Sequence, residues 1–340
     1  MLERVRVIEI GQVLSAPYAA TIFADLGADV VKVEKPELGD DARHMGAAFQ
    51  HGDSLHFLDM NRNKSSVTLD LKSAEGIEQL HGLLETADIL IHNMRPGVVD
   101  TLGIDGPSLC ARHPRLIYCE ISGFGATGPM KKLPAFEPVA QAFSGILSIN
   151  GNPDAPPARL GVSVVDMGTA MWTVIGALSA LHQREISGKG GVVNTSLLET
   201  ALAWAGPHIA GFLNEGRTPK RLGTAHPHLV PYQTFEAADG SLLIAAGNDR
   251  LFERLAALSE CLNGRPIRVL SAIGRAFKTA WNSSSSSPKK SRQTTANSGS
   301  GHSLRPAFRA LRSIPFPRSC KSRKSRHSEF SRRSQTRASP

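Results

Sequence analysis

The opening segment leaves this chain few folds to choose from. Val5–Ile10 (VRVIEI) has the apolar run of a buried strand, Pro17–Leu26 is helical with proline in its first turn and Gly27 as its stop, and Asp29–Val33 (DVVKV) is a second strand. A strand, helix and strand in that order form a βαβ unit, which commits the chain to an α/β fold with a parallel sheet. Ligands of such sheets gather at the carboxyl ends of the strands. Here those ends carry the loops Gln12–Ala16 and Lys35–Arg43.

The alternation continues. Val67–Leu71 reads as a strand leading through Lys72 into a helix at Ala74–Glu85, followed by a strand at Asp88–His92 and the turn Asn93–Gly97. A further strand, Leu116–Ile121, runs into SGFGATGP. Successive strand ends thus present Lys35, Lys72, Asn93 and Arg95 on one edge. A single such residue is ordinary solvated charge; the repetition favours an anionic ligand.

Gly123–Gly128 matches G-x-G-x-x-G after a strand, which raises a dinucleotide site. Such a site must run straight into a helix, whereas Pro129 and Pro134 break the chain here, and no acidic residue ends a second strand at the required distance. The glycines are better read as a turn. Downstream, an apolar and then Gly/Pro-rich segment carries Glu137, and Asp166 follows at the head of a helix with Met167, Met171, Val174, Leu178 and Leu181 at three-and-four spacing. Asp166 is expected as the cap or first residue of this buried helix, held ionised by the helix dipole, and able to act as a nucleophile if a cleft opens onto it. Gly188–Gly191 form a basic turn, and Asn194–Leu213 read as a second helix. His226 and His228 lack further ligands at metal-site spacing, so no metal site is expected. Tyr232–Phe235 and Ser241–Ala246 read as a hairpin around Asp239-Gly240, and a last helix starts near Asn248–Asp249.

Composition narrows the class. At 340 residues and 41% apolar content the chain can bury one large core or two ordinary ones. Its four cysteines, Cys110, Cys119, Cys261 and Cys320, show no C-x-x-C spacing, which argues against a zinc ribbon or a disulfide framework. No export signal and no run apolar enough to span a bilayer is read, so a cytoplasmic protein without membrane contact is expected. Charge is split: residues 261–340 hold 18 Lys and Arg against one acid, Glu329, so residues 1–260 carry −8 within the chain's net +9.

Together these blocks resemble the class III CoA-transferases, which include formyl-CoA:oxalate and succinyl-CoA:dicarboxylate CoA-transferases. The matching stretches are ADLGADVVKVEKPELGDDAR, NRNKSSVTLDLK, ADILIHNMRPG, ISGFGATGP, FEPVAQAFSG, VVDMGTAMWTVIGALSALHQREISGKG and HPHLVPYQTFEAADGSLLIAAGND, in order from about Val5 to about Leu258. The resemblance implies a Rossmann-like parallel-sheet large domain, a smaller second domain and an interlocked homodimer. It makes Asp166 the nucleophile that passes through an aspartyl anhydride and an aspartyl-CoA thioester, with Glu137 and Phe136 beside the thioester. Lys35 matches the basic residue for the CoA phosphates, and Leu69, Asp70, Leu71 and Lys72, with Asn93, Met94 and Arg95, match the adenosine and phosphate loops. Coenzyme A then enters as a thioester substrate and no cofactor is held permanently. Leu14, Thr101 and Ala246–Asp249 depart from the formyl-CoA enzyme at its substrate glutamine, a CoA-site arginine and its glycine-rich lid, which points away from oxalate and toward a dicarboxylate with succinyl-CoA as donor. The α-methylacyl-CoA racemases share the fold but need Gly-His-Asp where this chain has Ala135-Phe136-Glu137, which makes racemase a minor alternative.

The expected division is a CoA-binding domain at 1–200, a linker and the start of the small domain at 201–260, and a basic Ser/Arg-rich tail at 261–340. The tail lacks acids and apolar periodicity and is expected to be disordered. Its cationic clusters would bind nucleic acid nonspecifically, which defines a nonenzymatic alternative; salt-dependent binding lost on removing 261–340 would support it. Out-of-frame translation beyond residue 260 accounts for the loss of both acids and periodicity, and such a product would lack part of the family's large domain. Reading the coding DNA in the other two frames should reveal a family-like continuation; its absence in both counts against the slip.

Overall fold

The structure, a computed structural model, describes residues 1–261 apart from Ala238. The tail expectations fall on residues outside that set.

Six parallel strands form the central sheet: β1 (Arg6–Glu9), β2 (Asp29–Glu34), β3 (Ser65–Thr68), β4 (Ile89–His92), β5 (Ile117–Ser122) and β6 (Gly191–Ser196). Their order across the sheet is 3-2-1-4-5-6. That is the doubly wound dinucleotide-fold order, which reverses direction between β1 and β4 and leaves a crevice there. Alternation along each strand splits the core in two: Val7, Ile89, Ile91 and Ile117 face one side, and Ile8, Val31, Leu90 and Tyr118 the other.

Helices α1 (Ser15–Asp25) and α4 (Val164–Ser187) contribute to the first face, and α2 (Ala74–Leu84) to the second. The segment after β5 supplies the short helix α3 (Glu137–Phe143), and β6 leads into α5 (Leu197–Trp204) and α6 (Gly206–Glu215). Beyond these, β7 (Tyr232–Ala237) and β8 (Gly240–Ala245) form the expected hairpin, followed by α7 (Asp249–Cys261).

Three sequence expectations change. The segment at 194–213 is not one helix: its first residues finish the sixth strand, paired with β5 from Ile117↔Gly191 to Ser122↔Ser196, and only then does α5 begin, capped by Ser196. Helix α4 buries a stripe rotated from the one read, with Gly168, Thr169, Ala170, Thr173, Val174 and Ala177 inward and Met171, Trp172 and Ile175 half exposed. Small residues face inward because the helix lies close on its neighbours; a methyl on Gly168 would sit 2.2 Å from the Trp204 ring. Finally, α4 is long and apolar enough to cross a membrane by length and composition, a segment the sequence reading missed. Here its inner face forms part of the core against the sheet.

Beneath the crevice lies a buried ionic cluster. Lys32 Nζ is 2.7 Å from Glu9 Oε1 and 2.8 Å from Asp40 Oδ2, and Lys64 Nζ is 2.8 Å from Glu9 Oε2. Burial works against the charge on Lys32, but Glu9 and Asp40 outweigh it and raise its pKa. Lys64 is shifted down, by burial first and by Lys32 second, although it donates to the Pro17 and Met60 carbonyls as well as to Glu9. Two cations and two anions balance, so each depends on the others. We predict that Glu9→Gln, which takes from Lys64 its paired carboxylate and leaves Lys32 paired with Asp40 alone, lowers unfolding free energy in urea by about 3 to 5 kcal/mol. Glu78→Gln, at the exposed pair with Arg112, should change it little.

Candidate active site

A cleft of about 530 Å³ opens at the crevice between β1 and β4. The loop after β1 supplies Gln12, Val13, Leu14 and Ser15; the loop after β2 supplies Lys35 and Asp41; the turn after β4 supplies Asn93, Met94 and Arg95. Phe136 and Glu137 at the start of α3 and Asp166 in the first turn of α4 complete it, with Ser122, Gly123 and Leu197.

Local chemistry fixes the first loop. Val13 adopts φ 69, a left-handed conformation that costs a β-branched residue on the order of 1 to 2 kcal/mol. Its N–H donates to Asp40 Oδ1 at 3.0 Å, and its carbonyl lies 3.2 Å from His56 Nε2. Asn93 crosses from β4: its Oδ1 accepts from Gln12 N and its Nδ2 donates to Gln12 O, each at 2.9 Å. Gly11 makes room for this, since a Cβ there would lie 3.0 Å from Asn93 Oδ1 and 2.3 Å from the Ala16 methyl.

Asp166 is neither cap nor first residue of α4. Ser163 occupies the position before the helix, without a side-chain capping hydrogen bond, and Asp166 is the third residue of α4. The expectation of a carboxylate held ionised also fails: burial, then the charge of Glu137, push its pKa up to about 7, against a smaller opposing hydrogen bond from Ser15. The dipole of the first turn does not offset that environment. Glu137 is buried; its Oε1 accepts from Gln141, while Oε2 has no hydrogen bond and lies 3.7 Å from Arg159 Nη1.

Of the other residues singled out from sequence, Lys35, Asn93, Met94, Arg95 and Phe136 line this cleft with Asp166 and Glu137. Lys35 is paired with Asp41 at the rim, and Arg95 is exposed. Leu69, Asp70, Leu71 and Lys72 do not line it. Leu69 is buried in the core, Leu71 packs beside it, and Asp70 takes the Lys72 amide in the turn before α2, with Lys72 exposed beyond β3. Ser15 and Asp41 were not singled out from sequence. The only signal for Ser15 was its place in the loop after β1, where the fold rule puts ligands. Among the described residues no group suited to a metal ion occurs, and His226 instead accepts the His228 and Leu229 amides.

A sequence model of the family described as CoA-transferase family III matches residues 2–265. The chain belongs to this family. Among curated relatives of CoA-transferase family III, the succinate–glutarate CoA-transferase of Agrobacterium fabrum is 40% identical over 260 residues, covering 75% of this chain and 65% of the relative. The acetyl-CoA:oxalate CoA-transferase of Acetobacter aceti is 39% identical over 250 residues, 73% of this chain and 64% of the relative. Both relatives are thus matched over less than two thirds of their length. A crystal structure of a CAIB/BAIF family protein from Brucella suis superposes with TM-score 0.71 at 36% identity, covering 82% of this chain and 75% of that one.

A carboxyl group whose pKa is raised binds its proton more tightly in the folded state. The associated stability is therefore present at acid pH and is lost as pH rises from the ordinary carboxylate range through about 7. Asp166→Asn removes that loss. We predict that it raises Tm at pH 8, by a stabilisation on the order of 2 to 4 kcal/mol, and changes Tm little at pH 3, below the ordinary carboxylate range. An equal effect at both pH values would contradict the raised pKa.

Proposed function

We propose that this chain carries out CoA transfer between an acyl-CoA and a free carboxylic acid, with Asp166 as the covalent nucleophile. The observation that carries the reading is a half-buried carboxyl of pKa about 7, beside a second carboxylate, in a cleft at the sheet's crevice whose lining includes Lys35 and Arg95. Family membership and the named activities of the relatives support the same reaction class.

In the proposed sequence, an Asp166 carboxylate oxygen attacks the thioester carbonyl, the C–S bond breaks, and CoA leaves as thiolate with a mixed anhydride on Asp166. The thiolate attacks the aspartyl carbonyl, forming an aspartyl-CoA thioester and releasing the donor acid as its carboxylate. The acceptor carboxylate then attacks that thioester, expelling the thiolate and forming a second anhydride. Attack of the thiolate on the acceptor's acyl carbon yields the new CoA thioester and restores the Asp166 carboxylate. Charge balances at each step, and no proton need be exchanged. A basic carboxylate is a better nucleophile than an ordinary one, and a pKa near 7 leaves about half of it ionised at neutral pH. Acylation also removes the negative charge that Glu137 opposes, so the neighbouring carboxylate favours the covalent states over the free ion.

Lys35 and Arg95 suit the phosphates of coenzyme A as cations at the rim, and Asn93 and Met94 suit the adjacent part of that ligand. Leu69–Lys72 belong to the same proposal as an outer contact near the Lys35 edge of the sheet. Succinyl-CoA and a dicarboxylic acid are the proposed pair, in line with the Agrobacterium relative. Among the described residues no histidine lines the cleft, which leaves α-proton abstraction by imidazole without a candidate. The intact protein is proposed to work as a homodimer in the cytoplasm; the half-exposed Met171, Trp172 and Ile175 of α4 suit burial against a second copy.

Incubation with succinyl-CoA and labelled glutarate should produce labelled glutaryl-CoA, and hydroxylamine should trap the acyl group on Asp166. Asp166→Ala should lose transfer by roughly a thousandfold or more while still binding CoA. Appreciable turnover in that variant would remove Asp166 from the role.

A further inference from the structure

We infer that Gln141 is a positioning residue for Glu137, one side-chain amide holding the Glu137 carboxylate at one end and the backbone that leads into the Asp166 helix at the other. That role takes its functional meaning from the reading of Asp166 as nucleophile, while its geometry stands apart from it.

The orientation of the amide is forced. Gln141 lies one turn beyond Glu137 on α3 and is fully buried. The Leu160 backbone N–H can only donate, so the amide atom 3.2 Å from it is Oε1. That turns Nε2 toward Glu137, where it donates to the carboxylate Oε1. A glutamine and a glutamate one turn apart on a solvated helix would be an ordinary surface pair. Here water cannot replace either bond, because Glu137 is itself only 3% exposed.

The backbone at the far end is pinned as well. Ala158 donates its N–H to Asn150 O at 3.2 Å and accepts from Asn150 Nδ2 at 2.8 Å, so Arg159 stands between two tethered residues. Its Nη1 then faces the other Glu137 oxygen, Oε2, at 3.7 Å, and that oxygen has no hydrogen bond. Leu160 and Val164 pack on a small core made by Ala140 of α3, Val165 of α4, and Leu197 and Ala201 of α5. Asp166 follows Val165 directly. Gln141 therefore ties the helix that carries one cleft carboxyl to the segment that delivers the other.

Few other groups can set Glu137. On the elements packed against α3, the near end of α4 offers Asp166, with His182, Arg184 and Glu185 at the opposite end, and Glu199 of α5 is engaged with Ser196. Arg221 grips the same connecting segment, but its side chain is spent on the carbonyls of Ser148, Asn152 and Pro153. Arg159 attracts Glu137 without a directional bond. Only the Gln141 donor fixes the plane of the carboxylate, and its loss frees Glu137 to swing from Asp166 toward Arg159.

A carboxyl-carbon NMR titration of the full chain labelled at aspartate tests this, with Asp166→Asn to assign the resonance. The charge of Glu137 helps to hold the Asp166 pKa up at about 7. Gln141→Met, similar in length but without the donor and acceptor, should lower it by roughly half a unit to one unit, a three- to tenfold change in the ratio of protonated to ionised forms. In a Glu137→Gln background the same substitution should move the titration no further. An unmoved titration, or an equal shift in both backgrounds, overturns the inference. Gln141→Glu separates the two bonds, since it keeps an acceptor for Leu160 N–H and reaches Glu137 only when the new carboxyl is protonated. Its kcat should fall roughly tenfold or more below the parent at pH 8 and approach the parent at pH 6, with KM for succinyl-CoA within about twofold. A parent-like kcat at pH 8, or an equal deficit at both pH values, overturns the inference by leaving the bond to Leu160 as the whole role. Because the titration needs no turnover, it is separable from the transferase reading, which falls instead if Asp166→Ala still transfers acyl groups.

Discussion

The cluster of Lys32, Glu9, Lys64 and Asp40 is the interaction on which the rest of the site depends. A buried ionic cluster is weak evidence of stability, since desolvation offsets much of its attraction. Its contribution here is geometric. Lys32 also donates to the Gly11 carbonyl, Lys64 to the Pro17 carbonyl, and Asp40 accepts the amides of Val13 and Ala42, so four charges hold both ends of the first loop and the start of the second. Arg43 extends the same network, with Nε and Nη2 on the two oxygens of Glu34, Nη1 on Asp53, and its guanidinium 3.8 Å from the Phe57 ring centroid. An apolar core could stabilise the sheet as well, but it would not fix a strained Val13 where the cleft needs it.

Against that rigid loop, the floor of the cleft is electrostatically unfavourable by construction. Two carboxyl groups share one poorly solvated end of it, and the compensating contacts are partial: one distant arginine, one glutamine and one serine hydroxyl. Structural ionic groups in the same molecule are treated differently, with Lys32 and Glu34 each met by several close partners. The contrast separates groups that serve the fold from groups left reactive.

Much of the architecture was legible because the strongest signals were local. The first βαβ unit, the long helix bearing Asp166 and the terminal hairpin each carry their own apolar period and stop residues. The sixth strand was not legible, because GVVNTS is short, polar at its end and fused to a helix without a breaker; its partner β5 decides its conformation. The inward face of α4 was misread for a related reason: periodicity marked the large residues, while close packing selected the small ones. Most of the candidate site followed from strand ends and motif resemblance, but the behaviour of Asp166 did not. Helix position alone favours the charged form, and only the burial and the approach of Glu137, distant in sequence, reverse that.

The contact between Gly168 and Trp204 reaches further than packing. A ring seated on the helix backbone two residues beyond Asp166 makes the two positions a single evolutionary unit, since even alanine at 168 collides with the indole unless residue 204 yields. Divergence along this lineage should therefore pass through paired replacements at 168 and 204.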